Sequence, residues 1–519
     1  MTQWAKPPQD RGQIVLFSRM LDDAIAADHV VRLLDDILGR LDWSAWEANY
    51  HVNRGQPAIH PRVMASVILY GLLTRIRSSR KLEEALEVRL DFRWLAEGRG
   101  IDHTTLSEFR RKHPEALKGL FVQIGLVARE MGALLLEQLA FDGTRMKANN
   151  RKTGTRTPER LREMREELAA RYAELEAELE AADAREDALV GVSSSSDALA
   201  QEMADVQRRR ERVDAALEEI RRMEEAGETL PKRIPITDPE SRQTPNKEGG
   251  FAANYTPLAT VDVDSGLIVS ADVIATTDED KHLLPALEDV KESFELDALP
   301  PGVLADGLMA TGENLADLGE KNVTLYSPIS PGDPADNPAK RDDPRQPVPE
   351  SEWERLPTSG KKTPQLDKSA FVYDEKQDRY WCPQGQALPH TRDTSQKMPS
   401  GRKVSVKRYQ SDPEICAACP LKAKCLKGNA KSRQISRDEF EPLREAQAER
   451  MATDEAKEIY EKRRHAAEFP FAIIKHIFGA RQFLLRGLQR VRMEWLWLTA
   501  AFNLTRLFRL MASGADPPS

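Results

Sequence analysis

One acidic side chain near the C-terminal end lies among basic and aromatic residues at helical spacing. Tyr460, Arg464 and Glu468 are four residues apart, and Lys475 follows seven residues later. At roughly 100° per residue, these four positions share one face of a helix. A carboxylate in that setting can bind a divalent cation while its basic neighbours hold phosphates. A surface stripe of ion pairs is the alternative, and Pro470 is expected to kink the helix and rotate Lys475 from its ideal position.

Two further carboxylates follow predicted strands. Asp142 ends the strand-like segment 137–141, and Asp306 ends the segment 303–305. Strand ends fix side chains rigidly, which suits carboxylates that bind two Mg²⁺ ions roughly 3.5 to 4 Å apart in phosphoryl transfer. The residues alone therefore predict a basic, metal-using nucleic-acid enzyme. The competing candidates on or beside predicted strands are Asp262, Asp264 and Asp272.

All four cysteines of the chain lie within 44 residues, in the spacing C-x33-C-x2-C-x5-C. Tetrahedral zinc accepts four thiolates, and a C-x2-C pair supplies two of them from one turn. Such a site would be structural, because four cysteine ligands leave no open position for water. A set of free or buried thiols is the alternative. The predicted zinc ligands are Cys382, Cys416, Cys419 and Cys425.

The first 130 residues are predicted to be helical. Segment 62–73 is apolar enough for a buried helix, with Pro61 in its first turn. A capping box at 105–108 is predicted to open another helix that runs to residue 121. Short helices separated by Arg-rich turns suit a helix-turn-helix type of DNA-binding unit. A plain helical bundle with solvated arginines is the alternative.

The middle of the chain is predicted to contain three strands, a helix and two further strands, followed late in the chain by a long helix. This is the element order of a ribonuclease-H-like domain. The expected fold class is therefore mixed α+β, with a ribonuclease-H-like α/β catalytic core and two insertions. The predicted division is a helical DNA-binding domain (1–130), the catalytic core (131–154, 231–330 and 454–512), a helical hairpin insertion (155–230) and an insertion with a Pro-rich loop and the four cysteines (331–453).

The hairpin insertion has apolar residues at heptad-like spacing on both sides of Gly191–Asp197, which is predicted to be the turn. Pairing with another copy of the chain and a free charged hairpin are both open interpretations. The heptad-like positions are Leu161, Leu168, Leu175 and Leu179, then Val206, Val213, Leu217 and Ile220.

The charge distribution matters more than the net charge of −8. Residues 155–230 hold 21 acidic residues against 12 arginines, whereas residues 460–510 hold 10 basic residues against 3 glutamates. The acidic hairpin therefore masks a basic C-terminal segment that suits DNA. No window approaches the roughly 18 to 20 apolar residues of a membrane helix. We expect a cytoplasmic protein with no membrane association.

Several motifs together resemble bacterial insertion-sequence DDE transposases that join a helical N-terminal transposase domain to a DDE domain. The resemblance covers about residues 12 to 510. The motifs, in chain order, are HPRVMASVILYGLLTRIRSSRKLEEAL, IDHTTLSEFRRKH, FDGTRMKANN, TDPESR, PLATVDVDSGLIVSADV, VLADG followed by GENL, CPLKAKC and RGLQRVRMEWLWLTAAFNLTRL.

The resemblance implies a metal-binding catalytic triad of Asp142, Asp306 and Glu468. It also implies a role in supporting the site or contacting DNA for Lys147, Tyr460, Arg464 and Lys475. Two departures from the family pattern are visible. The second motif continues as Gly-Leu-Met after its aspartate, and the spacing between the tyrosine and the arginine is one residue longer than is common, so that Arg463 would satisfy the shorter spacing.

The implied activity is metal-dependent cleavage and strand transfer of DNA. Mg²⁺ or Mn²⁺ would serve the catalytic site, and Zn²⁺ would be structural. The expected partners are the terminal inverted repeats, the target DNA and at least one further copy of the chain, because two DNA ends must be joined. The alternatives are an inactive DNA-binding regulator and a ribonuclease-H-like nuclease that cuts without strand transfer.

Overall fold

The computed structural model describes residues 20–50, 57–151, 154–186, 196–245, 249–329, 336–360, 364–398 and 400–512. The chain forms two compact units. Unit 1 comprises Met1–Glu279, Ala286–Ala298 and Arg464–Ser519, and unit 2 comprises Asp280–Pro285 and Leu299–Arg463.

Unit 1 begins with seven helices in the described part of its N-terminal region. Helix α3 is almost wholly buried, as its apolar sequence predicted, and Pro61 lies in its first turn as expected. The helices are α1 (Val30–Gly39), α2 (Ser44–Glu47), α3 (Pro61–Leu73), α4 (Ser79–Val88), α5 (Leu90–Leu95), α6 (His103–Phe109) and α7 (Pro114–Glu130).

The predicted helix from the capping box to residue 121 is wrong in two respects. Helix α6 begins earlier, because the Asp102 carboxylate accepts hydrogen bonds from the backbone N–H groups of Thr104 and Thr105. The segment is also broken before Pro114, where His113 has a positive φ of 63°. The residue before a proline is disfavoured in the helical region, so α6 and α7 are separate helices.

The main sheet of unit 1 is built on one long central strand, and the neighbouring strands pair antiparallel with it. Its register places Asp142 opposite Ala259 and Lys147 opposite Asn254. The strands are β1 (Gln138–Gly143), β2 (Met146–Lys147), β5 (Arg242–Pro245), the central β6 (Phe251–Asp262) and β7 (Ile268–Ile274); the short pair β3 (Thr155–Arg156) and β4 (Ile234–Pro235) lies at the base of the hairpin.

The last helix, α16 (Leu488–Ala512), packs against α3, α7 and β7. Its buried Asn503 side chain donates to the carbonyl of Ile268 at 2.7 Å and accepts from that residue's N–H at 2.9 Å. Trp495 donates to the Leu258 carbonyl at 2.9 Å. These polar contacts inside an apolar interface fix the register of α16 on the sheet.

The acidic insertion forms two long helices, α8 (Pro158–Glu186) and α9 (Ser196–Glu225). Ion pairs join Arg171 to Glu202 and Arg165 to Asp214, so the helices run antiparallel. Their shared core contains six of the heptad positions: Leu161, Leu168, Leu175, Val206, Val213 and Ile220. Most of the predicted turn Gly191–Asp197 lies outside the described residues.

Unit 2 contains a parallel pair of short strands connected through a helix, and a separate antiparallel sheet of five strands in sequential order. The parallel pair is β8 (Gly302–Leu304) and β9 (Thr324–Tyr326), joined by α11 (Gly312–Glu320). The preceding helix α10 (Leu283–Ser293) begins in unit 2 and continues into unit 1. The remaining strands are β10 (Thr358–Ser359), β11 (Gln365–Leu366), β12 (Val372–Asp374), β13 (Arg379–Trp381), β14 (Ala387–Lys397), β15 (Lys403–Gln410) and β16 (Gln434–Asp438). The helices are α12 (Pro413–Ala417), α13 (Lys422–Cys425), α14 (Glu441–Ala452) and α15 (Asp454–Ala472), the last of which continues into unit 1.

The chain is therefore a mixed α/β protein with a helical N-terminal part, which confirms the coarse fold class. No helix in the described ranges combines the length and the apolar character needed to cross a membrane.

Candidate catalytic site

Asp142 lies at the end of β1, where a buried strand reaches the edge of the sheet. Leu139, Ala140 and Phe141 are fully buried, whereas Asp142 is half-buried. The N–H of Gly143 donates to the Asp142 carboxylate at 3.0 Å. The strand therefore presents this carboxylate in a fixed orientation beside solvent.

The position after Asp142 has no room for a side chain, and it is occupied by Gly143. A Cβ at this position would lie 2.6 Å from the carboxyl carbon of Glu279 and 2.9 Å from a methyl group of the buried Leu258. The Glu279 carboxylate thus lies against the backbone next to Asp142. Sequence reasoning missed Glu279, and its only signal was the acidic run at 278–280 directly after β7.

Lys475 joins the C-terminal segment to the residues that follow Asp142. Its ammonium group donates to the hydroxyl of Thr144 at 2.6 Å and to the carbonyl of Arg145 at 3.0 Å. Thr144 is itself buried, and its N–H donates to the Pro257 carbonyl of β6 at 2.9 Å. Lys475 thereby contacts the sheet at the turn that directly follows β1 and Asp142.

The helix that carries Glu468 changes its geometry before Lys475. Helix α15 passes through Pro470 and ends at Ala472, and Ile473–Ile477 then forms a π-helical turn. The sequence predicted that Pro470 would kink the helix and rotate Lys475; α15 instead runs through Pro470 to Ala472, and the helix type changes three residues after the proline. Because a π-helix winds differently from an α-helix, spacing along an ideal α-helix does not give the position of Lys475 relative to Glu468.

Glu468 and Arg464 are exposed on α15, one turn apart. In the part of the chain that the structure describes, neither side chain forms a hydrogen bond or an ion pair, and Tyr460 one turn earlier is half-buried. An exposed carboxylate beside cations, without a partner among them, is available to bind an ion. This is the physical basis for regarding Glu468 as a candidate ligand.

Lys147 is exposed at β2, and its backbone is fixed on both sides. It pairs with Asn254 of β6 and forms a parallel bridge with Gln482. Its ammonium group forms no hydrogen bond or ion pair with any described residue. A rigid strand therefore presents an uncompensated cation five residues after Asp142.

Asp306 lies in unit 2, two residues after the end of β8. It is half-buried, and its carboxylate accepts a hydrogen bond from the N–H of Leu308 at 2.9 Å. Its carbonyl accepts from the hydroxyl of Ser327 at 2.5 Å. The unusual Gly-Leu-Met continuation is therefore compatible with a well-ordered aspartate at a strand end.

Cys382, Cys419 and Cys425 pack against the apolar core of unit 2, and all four cysteines are free thiols. Burial raises the pKa of Cys382 and Cys419, and neighbouring thiols raise both further. Burial also raises the pKa of Cys425 to about 12. The Gln386 N–H donates to the sulfur of Cys382 at 3.4 Å, and Ser411 contacts that of Cys416 at 3.0 Å. The thiols therefore share one neighbourhood.

Within the described residues, no group of three or more His, Cys, Asp or Glu side chains converges closely enough to hold a metal ion. The donor types nevertheless suit the two ions: carboxylate oxygens are the ligands of Mg²⁺, and thiolates with peptide N–H groups directed at them are typical of zinc.

Two family models match this chain. Residues 381–508 match a model described as Transposase DDE domain, and residues 19–112 match one described as Transposase domain (DUF772). The first match includes Glu468, and neither includes Asp142 or Asp306. No curated protein matches. Both matches support an insertion-sequence DDE transposase, and they confirm the resemblance inferred from the sequence motifs.

Proposed function

We propose that this protein is the transposase of an insertion sequence, which binds the terminal inverted repeats of its element and catalyses metal-dependent cleavage and strand transfer of DNA. The two transposase matches support this function. The observation that carries it is the hydrogen bond from Lys475 to Thr144, which links the segment following Glu468 to the turn after Asp142. This contact between two motifs more than 300 residues apart in sequence supports the proposal that they form one site.

The proposed catalytic core is ribonuclease-H-like. The element order supports it: β1, β6 and β7 are followed by α10, β8 and β9, and the long helix α15 comes later. The hairpin α8–α9 and the five-stranded sheet with its cysteines are the proposed insertions into this core.

Asp142, Asp306 and Glu468 are proposed to hold Mg²⁺ or Mn²⁺. When bound, the metal would activate the attacking oxygen and stabilise the leaving oxygen in phosphoryl transfer. The chain's own contribution is orientation: β1 fixes Asp142, the turn after β8 fixes Asp306, and α15 presents Glu468.

Four residues are proposed to contact DNA phosphates or to support the site. Lys147 and Arg464 are exposed and uncompensated among the described residues, so they can neutralise phosphates at little desolvation cost. Lys475 is held by Thr144 and Arg145, and Tyr460 is half-buried, so these two are better suited to positioning. At least two copies are expected on DNA, because two element ends must be joined.

The function is tested with purified protein, Mg²⁺ and labelled DNA that carries the element end. We expect cleaved ends and a product in which the freed 3′-OH has joined target DNA. Binding without metal-dependent cleavage would favour the inactive regulator, and cleavage without joining would favour the nuclease.

We also propose that Cys382, Cys416, Cys419 and Cys425 hold one structural Zn²⁺. Metal analysis of freshly purified, reduced protein should find about one zinc per chain, and Cys419→Ser should lose it. A thiol reagent should label the four cysteines of the native protein only after chelation. Zinc-free protein whose thiols react at once without loss of structure would contradict the proposal and support free thiols.

A matched control for the zinc experiment is Ser432→Ala, in the same unit and outside the cysteine set. This variant should keep its zinc, because the Ser432 hydroxyl accepts from Gln410 and contacts none of the four sulfurs. Equal zinc loss in both variants would indicate general destabilisation of unit 2 instead of ligand removal.

A further inference from the structure

The loop 479–487, between the π-helical turn and α16, extends the edge of the sheet at β2. The N–H of Phe483 donates to the Lys147 carbonyl at 2.9 Å, and the Gln482 side chain donates to the Ala148 carbonyl at 3.0 Å. The Asn149 side chain donates to the Leu484 carbonyl at 2.6 Å. The loop thus holds the residues that follow Asp142 along one strand edge.

A single arginine from the N-terminal helical region holds this loop. Arg77 donates to the carbonyls of Gly479 at 3.0 Å and Gln482 at 2.8 Å, and to the carboxylate of Glu494 at 2.8 Å. The two charged side chains are only 13% and 12% exposed. A planar guanidinium with five donors can serve three acceptors at once, which a lysine cannot reproduce with the same geometry.

Glu494 holds the other half of the loop. Its carboxylate accepts the N–H groups of Leu484 and Leu485, each at 2.9 Å, in addition to Arg77. The Arg77–Glu494 pair therefore satisfies loop backbone groups on both sides. Removing either member would leave buried polar groups unpaired.

Arg110 completes the cluster. It donates to the Arg77 carbonyl, and burial lowers its pKa to about 10, although Glu494 opposes that shift. Two arginines of the N-terminal region thus surround one carboxylate of α16. Arg77 and Arg110 therefore make structural contacts within unit 1. The sequence had suggested two other roles for arginines of the N-terminal region, DNA binding or solvation on the surface of a helical bundle.

We propose that Arg77 is a positioning residue for the Asp142 site. Arg77 fixes the loop 479–487, and the loop in turn fixes the strand edge from Lys147 to Asn149. The loop also follows closely after Lys475, whose ammonium group donates to Thr144. Through Arg77, the N-terminal transposase segment thereby controls the geometry of cleavage, and Arg77 itself does so without contacting DNA. The catalytic part of this proposal rests on the proposed transposase function.

The test compares Arg77→Lys with the control Arg80→Ala. Arg80 is exposed on α4 and forms no hydrogen bond or ion pair with any described residue. Hydrogen exchange should show at least about tenfold faster exchange at the amides of 483–485 in Arg77→Lys and no change in Arg80→Ala. Asn149→Ala removes two side-chain contacts with the loop, to the Leu484 carbonyl and from Arg486, and no buried charge. It should show a smaller effect confined to the same segment.

The catalytic readout is single-turnover cleavage measured beside DNA affinity. In Arg77→Lys, cleavage should fall by about tenfold or more while the Kd for element-end DNA stays unchanged, because small displacements at a reacting centre reduce rate more than binding. A parallel loss of affinity would overturn the proposal and assign Arg77 to DNA contact. Unchanged hydrogen exchange at 483–485 in both Arg77→Lys and Asn149→Ala would overturn the proposal that Arg77 positions the loop. If the wild type cleaves no DNA, the catalytic role falls with the proposed function, and the exchange data still decide the structural part.

Discussion

Glu468→Gln should abolish DNA cleavage while leaving folding and DNA binding unchanged. Glu468 is exposed and has no hydrogen bond or ion pair among the described residues, so its replacement should change the free energy of unfolding by no more than about 0.5 kcal/mol. Loss of a carboxylate ligand to the metal removes charge stabilisation from the transition state. The cleavage rate should therefore fall on the order of 10³-fold or more.

The matched control is Glu461→Gln, an exposed glutamate on the same helix. It should retain wild-type cleavage, thermal stability and DNA affinity. Cleavage by Glu468→Gln within a few-fold of the wild-type rate would remove Glu468 from the proposed triad.

Gly143→Ala should damage the site through a single methyl group. The added Cβ would collide with the Glu279 carboxylate and with Leu258. Glu279 is a flexible side chain that can move, but the Leu258 side chain is buried, so either that side chain or the strand of Gly143 must shift. Overpacking of this kind costs about 1–3 kcal/mol of stability. A displacement of Asp142 by about 1 Å would lower the cleavage rate by about 10²-fold.

Gly119→Ala is the control for that variant. Gly119 lies within α7, and apart from its chain neighbours and the backbone of its own helix no atom lies within 4 Å of its added Cβ. Alanine in a helix interior should stabilise the protein by about 0.5–1 kcal/mol and leave cleavage unchanged. Thermal unfolding and single-turnover cleavage of both variants would separate the two effects. A Gly143→Ala protein with wild-type cleavage would show that this close approach does not position Asp142.

Local patterns in the sequence predicted those elements that local physics determines. The apolar run at 62–73 is α3, six of the eight heptad-like positions of the acidic insertion form the core of α8 and α9, and a strand that ends at Gly143 carries Asp142. Each of these follows from periodicity or from turn residues within one short window.

Contacts between distant segments could not be predicted in this way. Glu279 lies against Gly143 because β7 returns beside β6, and Arg77 reaches Gly479 across 402 residues. Nothing in the neighbourhood of Arg77 distinguishes it from the exposed Arg80. The start of helix α6 was wrong for a local reason. Asp102 and Thr105 can both cap a helix and are three positions apart, and the carboxylate of Asp102 is the group that caps α6.

A transposase cuts and rejoins DNA, so strand joining tests the proposed function of this chain most directly. Purified protein, Mg²⁺, labelled element-end DNA and a target plasmid should give a labelled, covalently joined product. That product should be absent without divalent metal and absent with Glu468→Gln. Wild-type protein that binds the element end yet yields no joined product under these conditions would contradict the proposed transposase function.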